Sequence, residues 1–299
     1  MRNQFKFDTP ILYIVFNRLD LVKRTFPEIK RMKPRQLFIG ADGPRTKEEK
    51  KKTDAVRNYI LDNINWKCQV KTLFRTKNLG CKYAVSGAID WFFENVEQGI
   101  ILEDDCLPDQ SFFRFCQEML ERYKNEKKIL NITGQNPLCK HNFFKSYSFS
   151  KYPRIWGWAT WKRSWSLYDL EMRDYIKNKN ILKKFNLNFV ERILIKKRIE
   201  GIFKRKANTW DIQLVFSSLL NRGLNVIPSK NLVENLGFEG ESTHSFEKID
   251  KKFLYKKREF LSFPLKHSLE IKINKKFDKK VTQNDLKRIF FKKIIAFFN

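Results

Sequence analysis

Three consecutive carboxylates, Glu103, Asp104 and Asp105, follow an apolar run in the stretch IILEDDCLP, residues 100–108. Hard cations such as Mg²⁺ and Mn²⁺ bind carboxylate oxygens together with the oxygens of a substrate phosphate. Carboxylates also accept hydrogen bonds from ribose hydroxyls and from the N–H groups of a nucleobase. An acidic triplet is most often a solvated turn, so its function depends on what the rest of the chain brings near it.

Two more polar signatures follow apolar runs: Asn17-Arg18 after ILYIVF, and Asp42-Gly43-Pro44-Arg45 after QLFIGA. The carboxyl ends of parallel strands meet at one edge of a sheet, where ligands bind. Arginines can pair with phosphate and the acids can bind a cation, so this combination favours a nucleotide diphosphate bridged to Mn²⁺ or Mg²⁺. The simpler alternatives are that Asp42 forms a turn and that Arg18 is a solvated charge.

The segments that must position these residues alternate along the chain between strand patterns and helix patterns. Short apolar runs predict strands at residues 11–17, 36–42, 69–75, 99–104, 129–134 and 224–229. Helical spacing predicts helices over residues 82–96, 111–125, 181–206 and 209–223, the last ending at Gly223 as its C-cap. This alternation predicts an α/β fold, with a mostly parallel sheet flanked by helices.

The composition and the absence of certain motifs limit the classes of protein to which this chain can belong. The chain has 299 residues, with 61 Lys and Arg against 33 Asp and Glu, which gives a net charge of +28. Such a charge favours a polyanionic partner, although a Lys-, Asn-, Ile- and Phe-rich composition accounts for part of it. The chain contains no recognisable nucleic-acid motif, and we expect no nucleic-acid partner. The absence of GxxxxGK[ST], and of GxGxxG after the first strand, argues against a P-loop ATPase and a dinucleotide dehydrogenase.

The cellular compartment is predicted from cysteines and hydropathy. The five cysteines are odd in number and lack CxxC spacing, which argues against a disulfide framework or a zinc site and favours a reducing cytosol. No signal-peptide pattern is present, and no window approaches the roughly 18 apolar residues that span a bilayer. We therefore expect a cytoplasmic protein, soluble or peripheral on the inner face of the membrane.

The order of the motifs carries a family resemblance. YIVFNR, ADGPR, RTKNLGCKYAVSGAIDWFF and GIILEDDCLPDQSFF resemble the nucleotide-sugar half of GT-A fold glycosyltransferases, namely the bacterial family 2-like group and N-acetylglucosaminyltransferase I with its Glu-Asp-Asp metal motif. PRIWGWATWKRSW, NTWDIQLVFSSLL and NLVENLGFEGESTH resemble the acceptor half of the bacterial group. The resemblance implies a Rossmann-like GT-A domain over residues 1–248, with a nucleotide-sugar half at about 9–135, an acceptor half at about 136–248, and a basic tail over 249–299.

The resemblance also implies roles for individual residues. Asp105 and the late His244 would bind the divalent cation, and Asp211 would be the general base that deprotonates the acceptor hydroxyl. The nucleotide-sugar would contact Asn17, Arg18, Asp42, Asn78, Gly80, Glu103, Asp104, Gly157 and Trp158. The plainer alternatives are that Asp211 is a helix-dipole partner, Asn78 a helix cap and His244 a solvated loop residue. We expect Trp158 to lie near the donor sugar, although tryptophan is also core filler.

These roles describe a metal-dependent, inverting hexosyl- or N-acetylhexosaminyltransferase. It would move a sugar from a nucleotide-sugar, a UDP-sugar favoured, to a hydroxyl of a glycan or lipid-linked acceptor in surface polysaccharide assembly. The alternatives are a sugar-phosphate nucleotidyltransferase, although FNRLDL lacks the Gly-rich segment usual there, and a non-enzymatic polyanion-binding protein.

The last 19 residues, VTQNDLKRIFFKKIIAFFN, form a basic amphipathic pattern. One helical stripe would contain Leu286, Ile289, Phe290, Ile294, Phe297 and Phe298. Such a helix can lie in an anionic membrane interface, with its apolar face buried and its cations near the lipid headgroups. The alternative is a C-terminal helix that docks its stripe on the catalytic domain.

Overall fold

The computed structural model describes residues 5–138, 143–205, 208–238 and 256–298, with the side chains of the last helix described to residue 291. Its strands are β1 (Ile11–Val15), β2 (Gln36–Ala41), β3 (Gln69–Phe74), β4 (Gln98–Glu103), β5 (Cys106–Pro108), β6 (Ile129–Thr133), β7 (Tyr147–Ser150), β8 (Trp158–Trp161), β9 (Leu224–Pro228) and β10 (Val233–Asn235). Its helices are α1 (Leu19–Met32), α2 (Lys47–Asp62), α3 (Gly80–Asn95), α4 (Gln110–Arg122), α5 (Lys162–Trp165), α6 (Arg173–Lys177), α7 (Phe189–Arg205), α8 (Asp211–Leu220) and α9 (Lys275–Phe298).

Eight strands form one sheet in the order β3-β2-β1-β4-β8-β6-β9-β7, and β5 pairs with β10 in a small antiparallel sheet. Strands β8 and β7 run antiparallel to their neighbours, while the β3-β2-β1-β4 block and the β6-β9 pair are parallel. The predicted fold class is therefore confirmed: a mostly parallel sheet flanked by helices, with a C-terminal helix. All six predicted strands are present.

Both faces of the sheet are buried, which is why its central strands are continuously apolar. Side chains alternate along β1, so Ile11, Tyr13 and Val15 enter one core while Leu12 and Ile14 enter the other. Helices α1, α2 and α4 cover the first face, and α3 and α8 cover the second. The carboxyl ends of the parallel strands β1, β2 and β4 consequently open at one edge of a rigid sheet.

The end of α8 differs from the sequence prediction. The helix ends at Leu220, and Arg222, not Gly223, takes the left-handed conformation with φ of 52°. A side-chain Cβ on Gly223 would come within 2.2 Å of Leu130 Cδ1. Gly223 therefore allows close packing between the helix end and the sheet, and the prediction that it is the left-handed C-cap is wrong.

The late part of the chain packs back on the body. Leu261 and Leu265 are buried in the core beneath α4, and Arg258 Nη1 lies 3.0 Å from Glu28 Oε1 on α1. The predicted domain boundary at residue 248 lies outside the described residues and stays a prediction. Within the described ranges, no helix is both long and apolar enough to cross a membrane.

Helix α9 docks through its first two turns. Phe277 and Val281 are buried against Ile227 of β9, and Asp278 accepts a hydrogen bond of 2.6 Å from Ser150 Oγ. These contacts precede the stripe that the sequence analysis identified. In that stripe, Leu286 is 37% exposed and Phe290 is 63% exposed, while the side chains of Ile294, Phe297 and Phe298 lie outside the described part.

Candidate active site

An arginine joins two of the three consecutive acids. Nη2 of Arg18 contacts Asp104 Oδ1 and lies 3.2 Å from Asp105 Oδ2, and its Nε donates to Asp104 Oδ2 at 3.3 Å. Burial opposes the charge of Arg18, but the neighbouring Asp104 and Asp105 carboxylates raise its pKa. The Asp104 side chain is 4% exposed and that of Asp105 17%, so Asp105 is the more accessible acid.

Asp42, at the end of β2, holds the loop between β3 and α3. Its carboxylate accepts hydrogen bonds from the backbone N–H groups of Leu79 and Gly80, at 3.0–3.1 Å, and from Asn78 Nδ2 at 3.0 Å. Asn78 Nδ2 also donates to the carbonyl of Gly43 at 2.8 Å. Asp42, which follows β2, therefore holds the N-terminus of α3 in place. The structure brings Asp42, Asn78 and Gly80 into contact with one another.

Glu49, on α2, is a positioning residue that the sequence analysis missed. Its carboxylate accepts from Asn17 Nδ2 at 3.0 Å, from the Arg45 backbone N–H at 2.7 Å and from Arg45 Nη2 at 2.5 Å. It thus connects the loop after β1 to the loop after β2. The signal was available, since Thr46 and Glu49 form the T-x-x-E spacing of a helix N-terminus and Thr46 Oγ1 accepts from the Glu49 N–H at 3.1 Å.

Asp211 is the first residue of α8. Thr209 Oγ1 donates to its Oδ1, Arg198 Nη2 lies 3.8 Å from its Oδ2, and its side chain is 32% exposed. Trp210, at the N-cap position, makes no side-chain capping bond. The Asp211 carboxylate is partly accessible to solvent.

The acidic triplet at the end of β4 and Asp211 of α8 shift the pKa values of the same side chains. Burial and the charges of Asp105 and Asp104 raise the pKa of Glu103 to about 8, and Asp211 contributes in the same direction. Desolvation and the charges of Glu103, Asp211 and Asp105 raise the pKa of Cys81, at the start of α3, to about 12. One electrostatic environment therefore contains the triplet, Asp211 and the first turn of α3.

Gly80 brings the segment before α8 against the start of α3. It has φ of 76°, and a Cβ there would come within 2.2 Å of Asn208 Nδ2. Asn208 Oδ1 accepts from the Lys82 N–H at 2.6 Å. This contact fixes Asp211 relative to the loop that Asp42 anchors.

The aromatic segment before and within β8 corrects one expectation. Trp158 is 1% exposed, and its ring stacks on Trp210 at 5.9 Å between centroids and packs against Trp165. The prediction that Trp158 presents a face to the donor sugar is wrong, because these rings fill the core beneath α8. Trp161 is also buried. Gly157, with φ of 61°, packs against Val233, where a Cβ would come within 2.7 Å of the valine.

The donor set at the strand ends fits a hard divalent cation. Asp105 carries carboxylate oxygens, and the ion pairs that Asp104 and Asp105 form are both with Arg18. Gly237 lies against Asp105, since a Cβ there would come within 2.9 Å of Asp105 Oδ2. No group of three or more His, Cys, Asp or Glu among the described residues forms a metal site alone. His244 lies outside the described residues.

Comparisons with known proteins give only distant structural similarity. No family model and no curated protein matches the chain. The chain is similar to the mannosyltransferase PcManGT from Pyrobaculum calidifontis in complex with GDP-Man and Mn²⁺ (13% identity, 52% of this chain and 45% of that chain, TM-score 0.36). It is also similar to S. aureus TarS 1–349, with 9% identity over 77% of this chain and 61% of that chain and a TM-score of 0.45. A third similar structure is a UDP-glucose pyrophosphorylase complexed with UDP-glucose, with 9% identity over 75% of this chain and 93% of that chain and a TM-score of 0.39. The chain covers less than two thirds of the first two proteins. TM-scores below 0.5 do not establish a shared activity.

Proposed function

We propose that this protein is a GT-A fold glycosyltransferase that moves a sugar from a nucleotide-sugar to an acceptor hydroxyl. The observation that carries the proposal is the convergence of Arg18, Asp42 and the acidic triplet at one sheet edge, with Asp211 facing the same environment. The motif order from YIVFNR to the late His supports the same function. Ligand sites of parallel α/β sheets lie at such an edge.

In this proposal Asp105, together with His244, holds Mn²⁺ or Mg²⁺. The bound cation would neutralise the negative charge of the leaving diphosphate. Arg18, already oriented by its contacts with Asp104, lies beside Asp105 and would contribute a second positive charge. Asp42 would act chiefly by keeping the loop of Asn78 and Gly80 in place against the nucleotide.

Asp211 is the proposed general base. The acceptor oxygen would form a bond to the anomeric carbon as the bond from that carbon to the diphosphate oxygen breaks, and the acceptor proton would pass to an Asp211 oxygen. A single displacement of this kind inverts the anomeric configuration. A UDP-sugar is the favoured donor, carrying a hexose or an N-acetylhexosamine. A glycan or lipid-linked acceptor in surface polysaccharide assembly is the favoured acceptor.

Titration of UDP by calorimetry, with and without Mn²⁺, tests the proposal. We expect binding that requires the cation, followed by donor hydrolysis in a screen of UDP-, GDP- and dTDP-sugars. Absence of cation-dependent binding for all three nucleoside diphosphates would overturn it. Release of pyrophosphate from a nucleoside triphosphate and a sugar 1-phosphate would assign the nucleotidyltransferase alternative instead.

We also propose that the distal part of α9 contacts an anionic membrane surface. Leu286, Phe290 and Phe291 are 37%, 63% and 44% exposed, and Lys287, Lys292 and Lys293 lie in the same helix. Each basic residue near such a surface contributes about 1 kcal/mol, which suits reversible binding at the inner leaflet.

Co-sedimentation with vesicles checks this contact. Phe290→Glu combined with Phe291→Glu should reduce binding to anionic vesicles several-fold, because both rings are exposed and neither belongs to the docked face of Phe277 and Val281. Phe260→Glu, at another exposed phenylalanine, is the matched control. Equal pelleting of the double variant and the wild type would rule out this surface as the anchor.

A further inference from the structure

A groove of about 490 Å³ opens beside the helix of Asp211. It lies between the start of α3, the segment before α6, the end of α7 and the start of α8. Asn208 and Gln213, which flank Asp211 along the chain, both line it. The groove therefore lies beside the first turn of the helix that carries the proposed base.

Exposed apolar side chains form the walls of the groove. Leu79, Tyr83 and Phe203 line it and are 45%, 52% and 43% exposed. Phe203 is held by stacking on Tyr175, with the rings 9° from parallel and 6.0 Å apart. Lys82 Nζ lies 5.1 Å from the centre of the Tyr83 ring. Fixed rings that face solvent in a concave site are typical of ligand pockets.

The inner surface of the groove contains an unsatisfied acceptor. Gln213 is fully buried, and its Nε2 donates to the carbonyl of Thr209 at 2.8 Å. Its Oε1 has no hydrogen-bond partner in the part of the chain that the structure describes. A buried polar atom without a partner costs free energy, so a donor that enters the groove would be favoured at this oxygen.

The charges of the groove favour a neutral ligand. Lys82 and Glu171 both line it, and they pair with each other at 2.8 Å, so neither sign dominates. A phosphate would find no surplus cation on these walls. An acyl chain could contact Tyr83 and Phe203 but could not donate a hydrogen bond to Gln213 Oε1. Sugar rings provide both an apolar face and hydroxyl donors.

We infer that this groove, beside the start of the helix that carries Asp211, binds a neutral sugar of a glycan acceptor. Tyr83 and Phe203 contact the apolar face of that sugar ring, and Gln213 Oε1 receives one of its hydroxyls. The inference rests on the proposed glycosyltransferase function and names its acceptor class.

Binding of oligosaccharides tests the inference, with the whole protein in saturating UDP and Mn²⁺. The probes are neutral oligosaccharides of two to four glucose, galactose or N-acetylglucosamine units, studied by ligand-observed NMR. Tyr83→Ala and Phe203→Ala should each weaken the best probe about tenfold, as expected for the loss of a stacked ring. Phe260→Ala, 64% exposed and outside the groove, is the control and should leave the affinity unchanged.

The UDP titration of the same variants separates the two proposals. Unchanged UDP affinity in Tyr83→Ala and Phe203→Ala, with weakened sugar binding, supports the groove and shows that the variants fold. UDP binding without binding of any neutral sugar, or sugar binding that neither variant weakens, overturns the groove and leaves the glycosyltransferase proposal intact. Binding only of phosphorylated glycans or of prenyl lipids also overturns it. If the wild type binds none of UDP, GDP and dTDP in the presence of Mn²⁺, the proposed function itself is overturned.

Discussion

The strand-end cluster and the groove differ in how their polar groups are satisfied. In the cluster, formed by the residues after β1, β2 and β4, Arg18 is bonded to Asp104 and Asp42 to the start of α3. In the groove, Gln213 Oε1 has no partner in the described residues and the rings of Tyr83 and Phe203 face solvent. The first region fixes its geometry before any ligand arrives, which is what electrostatic catalysis requires. By the inference above, the second would be completed by its ligand.

The largest expected effect comes from Asp211, the proposed base at the start of α8. Asp211→Asn removes the proton acceptor and preserves the side-chain volume, so we expect kcat to fall by about 10²–10⁴-fold while UDP affinity stays within twofold. Steady-state kinetics of sugar transfer and calorimetry with UDP and Mn²⁺ measure the two quantities. Turnover within a few-fold of the wild type would show that another group is the base.

The second effect concerns the cation at the strand ends. Asp105→Asn should weaken cation-dependent UDP binding by about 100-fold, because a carboxylate that binds a divalent cation contributes several kcal/mol. Circular dichroism should be unchanged. Asp62→Asn, at the exposed end of α2, is the matched control and should bind UDP like the wild type. Equal UDP affinity in Asp105→Asn with Mn²⁺ present would remove Asp105 from the cation site.

The third effect tests the internal bonding of the cluster. Asp42→Ala leaves the N–H groups of Leu79 and Gly80 and the amide of Asn78 without their acceptor. We expect a loss of about 2–3 kcal/mol in the free energy of unfolding, measured in urea. Asp42→Asn, which keeps one acceptor oxygen, should lose less. Equal stability of all three proteins would mean that Asp42 is not a structural anchor.

The smallest effect separates two neighbouring acids of α2. Glu49→Gln weakens the bonds to Asn17 and Arg45, so we expect a loss of about 1–2 kcal/mol in the free energy of unfolding. The matched change Glu48→Gln, at an exposed side chain, should leave the free energy of unfolding close to that of the wild type. If the two variants lose the same stability, the network around Glu49 does not hold these loops together.

Most of the sheet could be predicted from the sequence because its central strands are buried on both faces. Such strands appear as uninterrupted apolar runs, and their polar ends mark the edge where a ligand binds. The meeting of Asn17, Arg18, Asp42 and the acidic triplet followed from that rule. Their mutual contacts did not, since a sequence does not reveal whether Arg18 faces a phosphate or Asp104.

The antiparallel strands β7 and β8 were missed for a physical reason. Their sequences, YSFS and WATW, belong to a long aromatic segment without a clear period, and β8 inserts between β4 and β6 through contacts distant in the chain. The same contacts bury Trp158 against Trp210, which overturned its predicted sugar contact. The groove was equally inaccessible to prediction, because its walls come from four separate segments.

The position of Leu261 and Leu265 has a consequence for how the protein is made. Both side chains fill the core beneath α4, yet they follow every strand of the large sheet in the chain. During synthesis the amino-terminal part emerges first and begins to fold before these residues exist. Until they arrive, the apolar surface beneath α4 stays open to water. A nascent chain stalled before residue 261 would therefore expose an apolar surface, which is the kind of surface that chaperones bind.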